Sequence, residues 1–402
     1  MQVTVSPSAA RGTMTAPPSK SYAHRVLICA ALSGGVSTVR GVAPSQDLLA
    51  TMDCLRAIGA GIDCRNGIAE VTGLDPKTIP DGAALSCRAS GSTLRFLVPV
   101  ALLSDKSIRF TGVVRLMERP LSVYRDICAL QGLPFHLRPR QLDIRGPLVP
   151  GRFEIPGDVS SQFVSGLLFA LPLLPGSSTI EITPPVESRP YIEMTLAMLS
   201  SFGVDAVFSG NSIHVPGGQH YIPQEIMIEG DWSNAAFFLA LNVLGDHVSV
   251  SGLLPDSLQG DKVCQEFFAA LQKGAPSIDL SSCPDLGPVC MALAGALHGA
   301  VFTGIRRLRM KESDRCAAMA EELAKFGVMS EISENKMTIH PAAVLRRPVE
   351  SLWSHDDHRI AMALAVLATR TGGVIDGAEA VEKSLPDYYT RLQKLGIEVT
   401  VS

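Results

Sequence analysis

Two kinds of segment alternate along this chain, six times each, and that repetition limits the possible folds more than any other feature. The first kind opens on small or polar residues and runs into a helix that is apolar on nearly all sides. It reads SKSYAHRVLICAALSGG, GSTLRFLVPVALLSD, SSQFVSGLLFALPLLPG, DWSNAAFFLALNVLGD, PDLGPVCMALAGALHG and DDHRIAMALAVLATRTGG. Helices of that pattern belong inside a fold. Ser21, Ser92, Ser161, Ser233, Asp285 and Asp357 are their candidate N-caps. The second kind is amphipathic and stops at Gly59, Gly132, Gly203, Gly274, Gly327 and Gly396, at intervals of 73, 71, 71, 53 and 69 residues. After each glycine a short alternating stretch, such as GVDAVFSGNSIHV, predicts two strands joined by a turn.

Six such units could close one ring, form a solenoid or make two globes of three. At about 70 residues each they exceed ordinary solenoid repeats. PGGQHYIPQEIMIEGDW and the segment before Lys20 read as crossings between halves, and the short fourth interval marks an irregularity. The expected architecture is therefore α/β, two globes of three units with a cleft between them. If the buried helices of a globe run parallel, their N-termini converge, and the partial positive charge there makes an anion trap.

Charge agrees with small anionic ligands and not with nucleic acid. Lys plus Arg is 35 and Asp plus Glu 39, a formal net charge of −4, which rules out a basic nucleic-acid surface as the main business of the chain. Hydrophobic residues at 46% and charged residues at 18% place the chain among globular proteins and exclude disorder. Its nine cysteines form no CxxC pair and show no zinc-finger spacing, so they read as small core residues in a reducing compartment. No signal core is present, and apolar runs such as 164–174 fall short of the roughly 20 residues of a membrane span. A soluble cytoplasmic protein is expected.

Cations cluster where the buried helices begin: Lys20 and Arg25; Arg95, beside Gly91, Ser92 and Thr93; Arg359 after Asp356, Asp357 and His358. Ser160, Ser161 and Gln162 hold the equivalent place in the third unit. The helix dipole opposes a cation in the first turn. A solvated surface charge explains any one of these residues, but not the set. A second group comprises Arg115 and Arg119, Ser188, Arg189 and Tyr191, then Arg307, Lys311, Glu312 and Arg315, and Lys383. Lys311, Glu312 and Arg315 fit one helix start. Arginine offers a planar fork to carboxylate or phosphate and lysine a point charge. No GxxxxGKS or GxGxxG occurs, and no compact ligand set argues for a metal. His355 to His358 (HDDH) could hold one, but the following arginine weakens that reading.

PSKSYAHR, SGSTLRF, RLMERP, SSQF, SRPYIEMT, EGDWSNAAFFLAL, RRLRMKESDR, HDDHRIAMALA and VEKSLPDYY occur in this order over nearly the whole chain. Together they resemble the enolpyruvyl transferase family, and within it the 3-phosphoshikimate 1-carboxyvinyltransferases. The resemblance implies a two-domain inverse α/β barrel, each domain having three βαβαββ repeats with buried parallel helices. Residues 18–227 would form one domain and 1–17 with 228–402 the other, with the active site in the cleft. It implies transfer of the enolpyruvyl group of phosphoenolpyruvate to the 5-hydroxyl of shikimate 3-phosphate, on the way to chorismate and the aromatic amino acids. The reaction runs by addition and elimination through a tetrahedral intermediate and releases phosphate.

Residue by residue, the resemblance assigns shikimate 3-phosphate to Lys20, Ser21, Arg25, Ser160, Ser161, Ser188, Tyr191, Asp285 and Lys311. It assigns phosphoenolpyruvate to Lys20, Gly91, Arg115, Gln162, Arg315, Arg359 and Lys383. Arg315 and Arg359 would grip the carboxylate, and Lys20, Arg115 and Lys383 the phosphate. Asp285 would take the hydroxyl proton, and Glu312, with Lys20, would protonate the methylene. On its own, Asp285 reads equally as an N-cap. No cofactor, metal, nucleic acid or membrane is implied, and the chain is expected to be a monomer that closes over its substrates. Ala89 and Arg307 depart from the family pattern, which often has Asn at the first position and Asn or His at the second.

Two other readings compete. The sister transferase acting on UDP-N-acetylglucosamine uses a Lys-Asn pair where this chain has Lys20-Ser21, and a loop cysteine where it has Met117. A non-catalytic polyanion-binding repeat protein would need the cations but not Asp285 and Glu312 together.

Overall fold

The computed structural model describes residues 1–402. Two strands open the chain, β1 (Gln2–Val5) and β2 (Arg11–Thr15). The first repeat follows with α1 (Lys20–Leu32), β3 (Val36–Arg40), α2 (Gln46–Ala57), β4 (Gly61–Arg65) and β5 (Ile68–Thr72). The second has β6 (Ala83–Ser86), α3 (Gly91–Ala101), β7 (Ser107–Thr111), the short α4 (Val114–Met117), α5 (Ser122–Leu130), β8 (Phe135–Arg138) and β9 (Gln141–Arg145). The third has β10 (Arg152–Pro156), α6 (Ser161–Ala170), β11 (Ser178–Thr183), α7 (Arg189–Ser201), β12 (Val207–Ser209) and β13 (Ser212–Val215), and is followed by β14 (Glu225–Met227). The fourth is shorter: α8 (Trp232–Val243), β15 (His247–Ser251) and α9 (Cys264–Lys273). The fifth has β16 (Ser277–Asp279), α10 (Gly287–Ala296), β17 (Ala300–Thr303), α11 (Arg315–Lys325), β18 (Met329–Ile332) and β19 (Lys336–His340). The sixth has β20 (Leu352–Trp353), α12 (His358–Thr371), β21 (Gly373–Asp376), α13 (Tyr388–Lys394) and β22 (Val399–Val401).

The chain divides into two compact units, Pro18–Glu229 and Met1–Pro17 with Gly230–Ser402. Each has its own apolar core, and the residues of the apolar helices supply much of it. In α12 every residue from His358 to Thr369 is buried. A helix clad in alanine, leucine, isoleucine and valine on all sides can only lie inside.

Each complete sheet follows one plan. The strand before the apolar helix pairs in parallel with the strand after it, and the two last strands add an antiparallel hairpin, as in β6-β7-β9-β8 and β10-β11-β13-β12. The crossings complete sheets that the repeats leave unfinished. In the Pro18–Glu229 unit, β14 supplies the first repeat's missing edge, giving β14-β3-β5-β4. In the other unit, β1 enters between β21 and β22, in the register Gln2↔Asp376 and Val3↔Val401.

The fourth repeat differs from the sequence expectation. No strand pair follows Gly274; β16 of the next repeat comes at once, and β15 pairs only with β2. The missing hairpin accounts for the short 53-residue interval between Gly274 and Gly327. Gly274 is also the exception among the six stop glycines: its φ is 169°, extended, while the other five are left-handed. The edge of β15 that lacks a strand is partly covered by a side chain. Asn242 accepts from the Val248 N–H at 2.7 Å and donates to its carbonyl at 2.8 Å, as a neighbouring strand would.

The N-caps are mostly not those expected. Ser19, Ser90, Ser160 and Asp231 cap α1, α3, α6 and α8, so Ser21, Ser92, Ser161 and Ser233 lie one or two residues inside. Asp357 does cap α12, accepting from the Arg359 N–H at 2.9 Å. Asp285 caps nothing: it lies in a 3-10 turn, Pro284–Leu286, ahead of α10. One spatial constraint repeats in the Pro18–Glu229 unit. Gly73, Gly146 and Gly217 follow the last strand of their repeats, and a Cβ there would meet carbonyl oxygens of Ser33, Leu102 and Gly176 at 1.7, 2.3 and 2.1 Å.

Candidate active site

In the Pro18–Glu229 unit the first turns of the apolar helices α3 and α6 hold each other by their polar side chains. Gln162 at the start of α6 accepts from Arg95 Nη1 at 2.8 Å and donates to Ser92 Oγ at 2.9 Å, both on α3. Gly91, the first residue of α3, lies under this group: a Cβ would meet Arg119 Nη1 at 2.8 Å and Arg95 Nη1 at 3.4 Å. A side chain at this position would push the Arg119 guanidinium aside, so glycine lets the helix start and the guanidinium lie close together.

Arg25 is buried in α1 and bonded to neutral groups: the carbonyls of Ser21 and Tyr191, Thr195 Oγ1 and Ser165 Oγ. Its guanidinium also lies 5.2 Å from the Phe96 ring centre. Burial lowers its pKa to about 10, so it keeps its charge at neutral pH. The same stacking recurs, with Arg95 over Phe163 and, in the other unit, Arg359 over Phe237, each arginine on the ring of a different apolar helix. Lys20, the first residue of α1, pairs with Asp47 at 2.8 Å. Ser160 and Ser161 are buried at the start of α6, Ser188 is a buried left-handed residue just before α7, Tyr191 is partly buried, and Arg115 is exposed on α4.

In the second unit the charges form one network. Arg315, 1% exposed, donates from Nε to Asp357 Oδ2 at 2.9 Å, from Nη1 to Asp285 Oδ1 at 2.8 Å and from Nη2 to Glu312 Oε2 at 3.1 Å. Lys311 lies 3.4 Å and Arg359 3.5 Å from Asp285. Arg359 donates further to the Ser233 carbonyl and hydroxyl and to Asn234 Oδ1, so the first turns of α8 and α12 and the turn before α10 meet at this point. Lys383 donates to the Asp356 carbonyl at 3.3 Å. Burial alone would raise the Asp285 carboxyl, but Lys311, Arg359 and Arg315 outweigh it and hold it well below the usual range. Burial lowers the Lys311 ammonium, with Asp285 opposing. Burial also disfavours the charged Arg315, yet Asp357, Asp285 and Glu312 together raise its pKa.

Lys311 and Glu312 do not share a helix start with Arg315, contrary to the sequence expectation. Asp314 caps α11 and Arg315 is its first residue, so Lys311 and Glu312 belong to the loop before it. That loop lets both turn toward Arg315 and Asp285. Sequence reasoning did not single out Asp47, Ser233 or Asn234 as partners of these cations. The sequence offers Asp357 as a cap and within HDDH, not as the partner of Arg315. Arg307 is buried, and its charge acts on Lys311. The HDDH residues serve different ends: Asp357 binds Arg315, and His355 turns to Glu322 at 3.2 Å. Glu321, Glu322 and His355 bring ligand atoms within 4.8 Å of one another, but Glu322 is already engaged by Lys325 and the Trp353 N–H.

The arrangement can neutralise small multivalent anions and hold a carboxylate ready beside them. Comparison with known proteins agrees. Residues 5–392 match the family model described as EPSP synthase (3-phosphoshikimate 1-carboxyvinyltransferase). A 3-phosphoshikimate 1-carboxyvinyltransferase of Clostridium kluyveri is 40% identical over 99% of this chain and 98% of its own. One of Clostridium botulinum Eklund 17B is 37% identical over 97% and 96%. The solved EPSP synthase of Acinetobacter baumannii superposes with a TM-score of 0.79 at 25% identity, covering 100% of both chains.

Proposed function

Because the chain belongs to the EPSP synthase family, we infer that it is a 3-phosphoshikimate 1-carboxyvinyltransferase, moving the enolpyruvyl group of phosphoenolpyruvate to the 5-hydroxyl of shikimate 3-phosphate. The observation that carries this reading at the site is the meeting of Asp285 with Lys311, Arg315 and Arg359. A base and three cations together suit a reaction between two polyanions. The family match favours this reaction over transfer to UDP-N-acetylglucosamine.

In the addition step Asp285 takes the proton of the 5-hydroxyl as its oxygen bonds to C2 of phosphoenolpyruvate, and Glu312, with Lys20, delivers a proton to C3. Arg315 and Arg359 hold the carboxylate, while Lys20, Arg115, Gln162 and Lys383 hold the phosphate, with Gly91 leaving room beside it. Elimination then breaks the C2–phosphate bond, returns a proton from C3 and restores the double bond. Shikimate 3-phosphate is held by Lys20, Ser21, Arg25, Ser160, Ser161, Ser188, Tyr191 and Lys311. Arg25 supports this because its protein partners are neutral and a buried cation favours an anion nearby. No cofactor enters the scheme.

No helix is long and apolar enough to cross a membrane. The enzyme is read as a cytoplasmic monomer. The deciding experiment mixes both substrates with the protein and follows phosphate. Release that needs both supports the reading, and no release with both present overturns it.

A further inference from the structure

We propose that Asp285 is a resident stand-in for the substrate carboxylate: with Lys311 beside it, it closes the anion site formed by Arg315 and Arg359, and phosphoenolpyruvate binds there by displacing it. This rests on the reading of the site given above. Three carboxylates share the network, and they are held unequally. The Asp357 side chain is 0% exposed; it binds Arg315 through both oxygens, accepts from Ser313 Oγ and caps α12. It is a fixture of the fold. Asp285 is 23% exposed and makes no cap, yet it faces all three cations, at 3.4, 2.8 and 3.5 Å. Like Glu312, in the loop before α11, it can leave without unmaking a helix, and it is the more exposed of the two, at 23% against 13%.

Charge points the same way. Lys311, Arg315 and Arg359, with Arg307 acting on Lys311, carry four positive charges, and Asp285, Glu312 and Asp357 three negative ones. A further carboxylate brought to Arg315 meets the three carboxylates already on it, Asp285, Glu312 and Asp357, at close range in a medium where like charges are poorly screened. If Asp285 moves aside, the incoming carboxylate takes its place on Arg315 and Arg359 and the number of charges there is unchanged.

The exchange has a consequence for catalysis. Bound to three cations, Asp285 is a weak proton acceptor. Released from them, it becomes a stronger one, at the moment the second substrate is in place. The hydroxyl is then deprotonated only when there is a carbon for it to attack.

Calorimetric titration of phosphoenolpyruvate alone into wild type, Asp285→Ala and Asp285→Asn tests this, with circular dichroism checking each fold. Removing the competitor should tighten binding by roughly tenfold or more in the alanine variant, a change of about 1.4 kcal/mol. The asparagine variant keeps the size without the charge and should also gain; it carries the test if alanine impairs folding. Unchanged or weaker affinity in the folded variants overturns the proposal. Failure of the assigned reaction would appear elsewhere, as absence of phosphate release by wild type.

Discussion

His24 carries a buried imidazole that the proposed chemistry does not use. Its Nδ1 lies 2.8 Å from Thr51 Oγ1, which lies 2.7 Å from Thr93 Oγ1, and Thr93 donates to the α3 cap Ser90 at 2.8 Å. Its Nε2 has no partner. Burial, then Lys20 and Arg25, lower its pKa well below 6.5, so it stays neutral when a histidine in the unfolded chain takes up a proton. The sign follows from linkage. Below pH 6.5 the unfolded state binds more protons than the native state, and stability falls with pH by about 1.4 kcal/mol per unit while His24 remains neutral. Urea midpoints for wild type and His24→Asn between pH 7.5 and 5.5 should therefore converge as the pH drops, the variant losing less. Parallel curves would show that His24 is protonated in the fold. Of this network the sequence displayed only a histidine in an apolar run. Its partners come from α2 and α3, 27 and 69 residues away, a juxtaposition that periodicity does not reveal.

Helices and strands were more legible than their ends. The six apolar helices announce themselves because burial on all sides forces an unbroken apolar composition. Their caps did not, since Ser19 and Ser21, Ser90 and Ser92, or Asp231 and Ser233 are chemically equivalent candidates, and which one turns back to the helix depends on backbone path. The fourth repeat showed its deletion as a short interval, but the residues after Gly274 still alternate, and they serve as the next repeat's first strand. Gly73 shows a requirement that no pattern signals: space. An alanine there would put its Cβ 1.7 Å from the Ser33 carbonyl oxygen, at the end of α1. Gly73→Ala should cost at least the about 1–3 kcal/mol of ordinary overpacking, read as a lowered melting temperature. Gly34→Ala, where nothing lies within 4 Å, should leave it nearly unchanged. Equal effects would place the cause in chain entropy and not in the carbonyl contact.

At the scale of the molecule, the two units differ in how the chain builds them. Pro18–Glu229 is one continuous stretch and contains every strand of its three sheets, β14 included. The other unit takes β1 and β2 from the beginning of the chain and the rest from its end. β1 is an inner strand of its sheet, and its Gln2 exchanges backbone hydrogen bonds with Ser402 at 2.9 Å in both directions. The chain is thus closed into a loop by its own first and last strands. A gene reordered to begin at residue 230, run to 402, cross a short glycine-serine bridge and finish with 1–17 should yield that unit as a self-sufficient protein, with a cooperative thermal transition and a dispersed amide spectrum. Residues 230–402 without the transplanted strands should show neither. If both polypeptides behave alike, β1 is an accessory to the sheet and not its keystone.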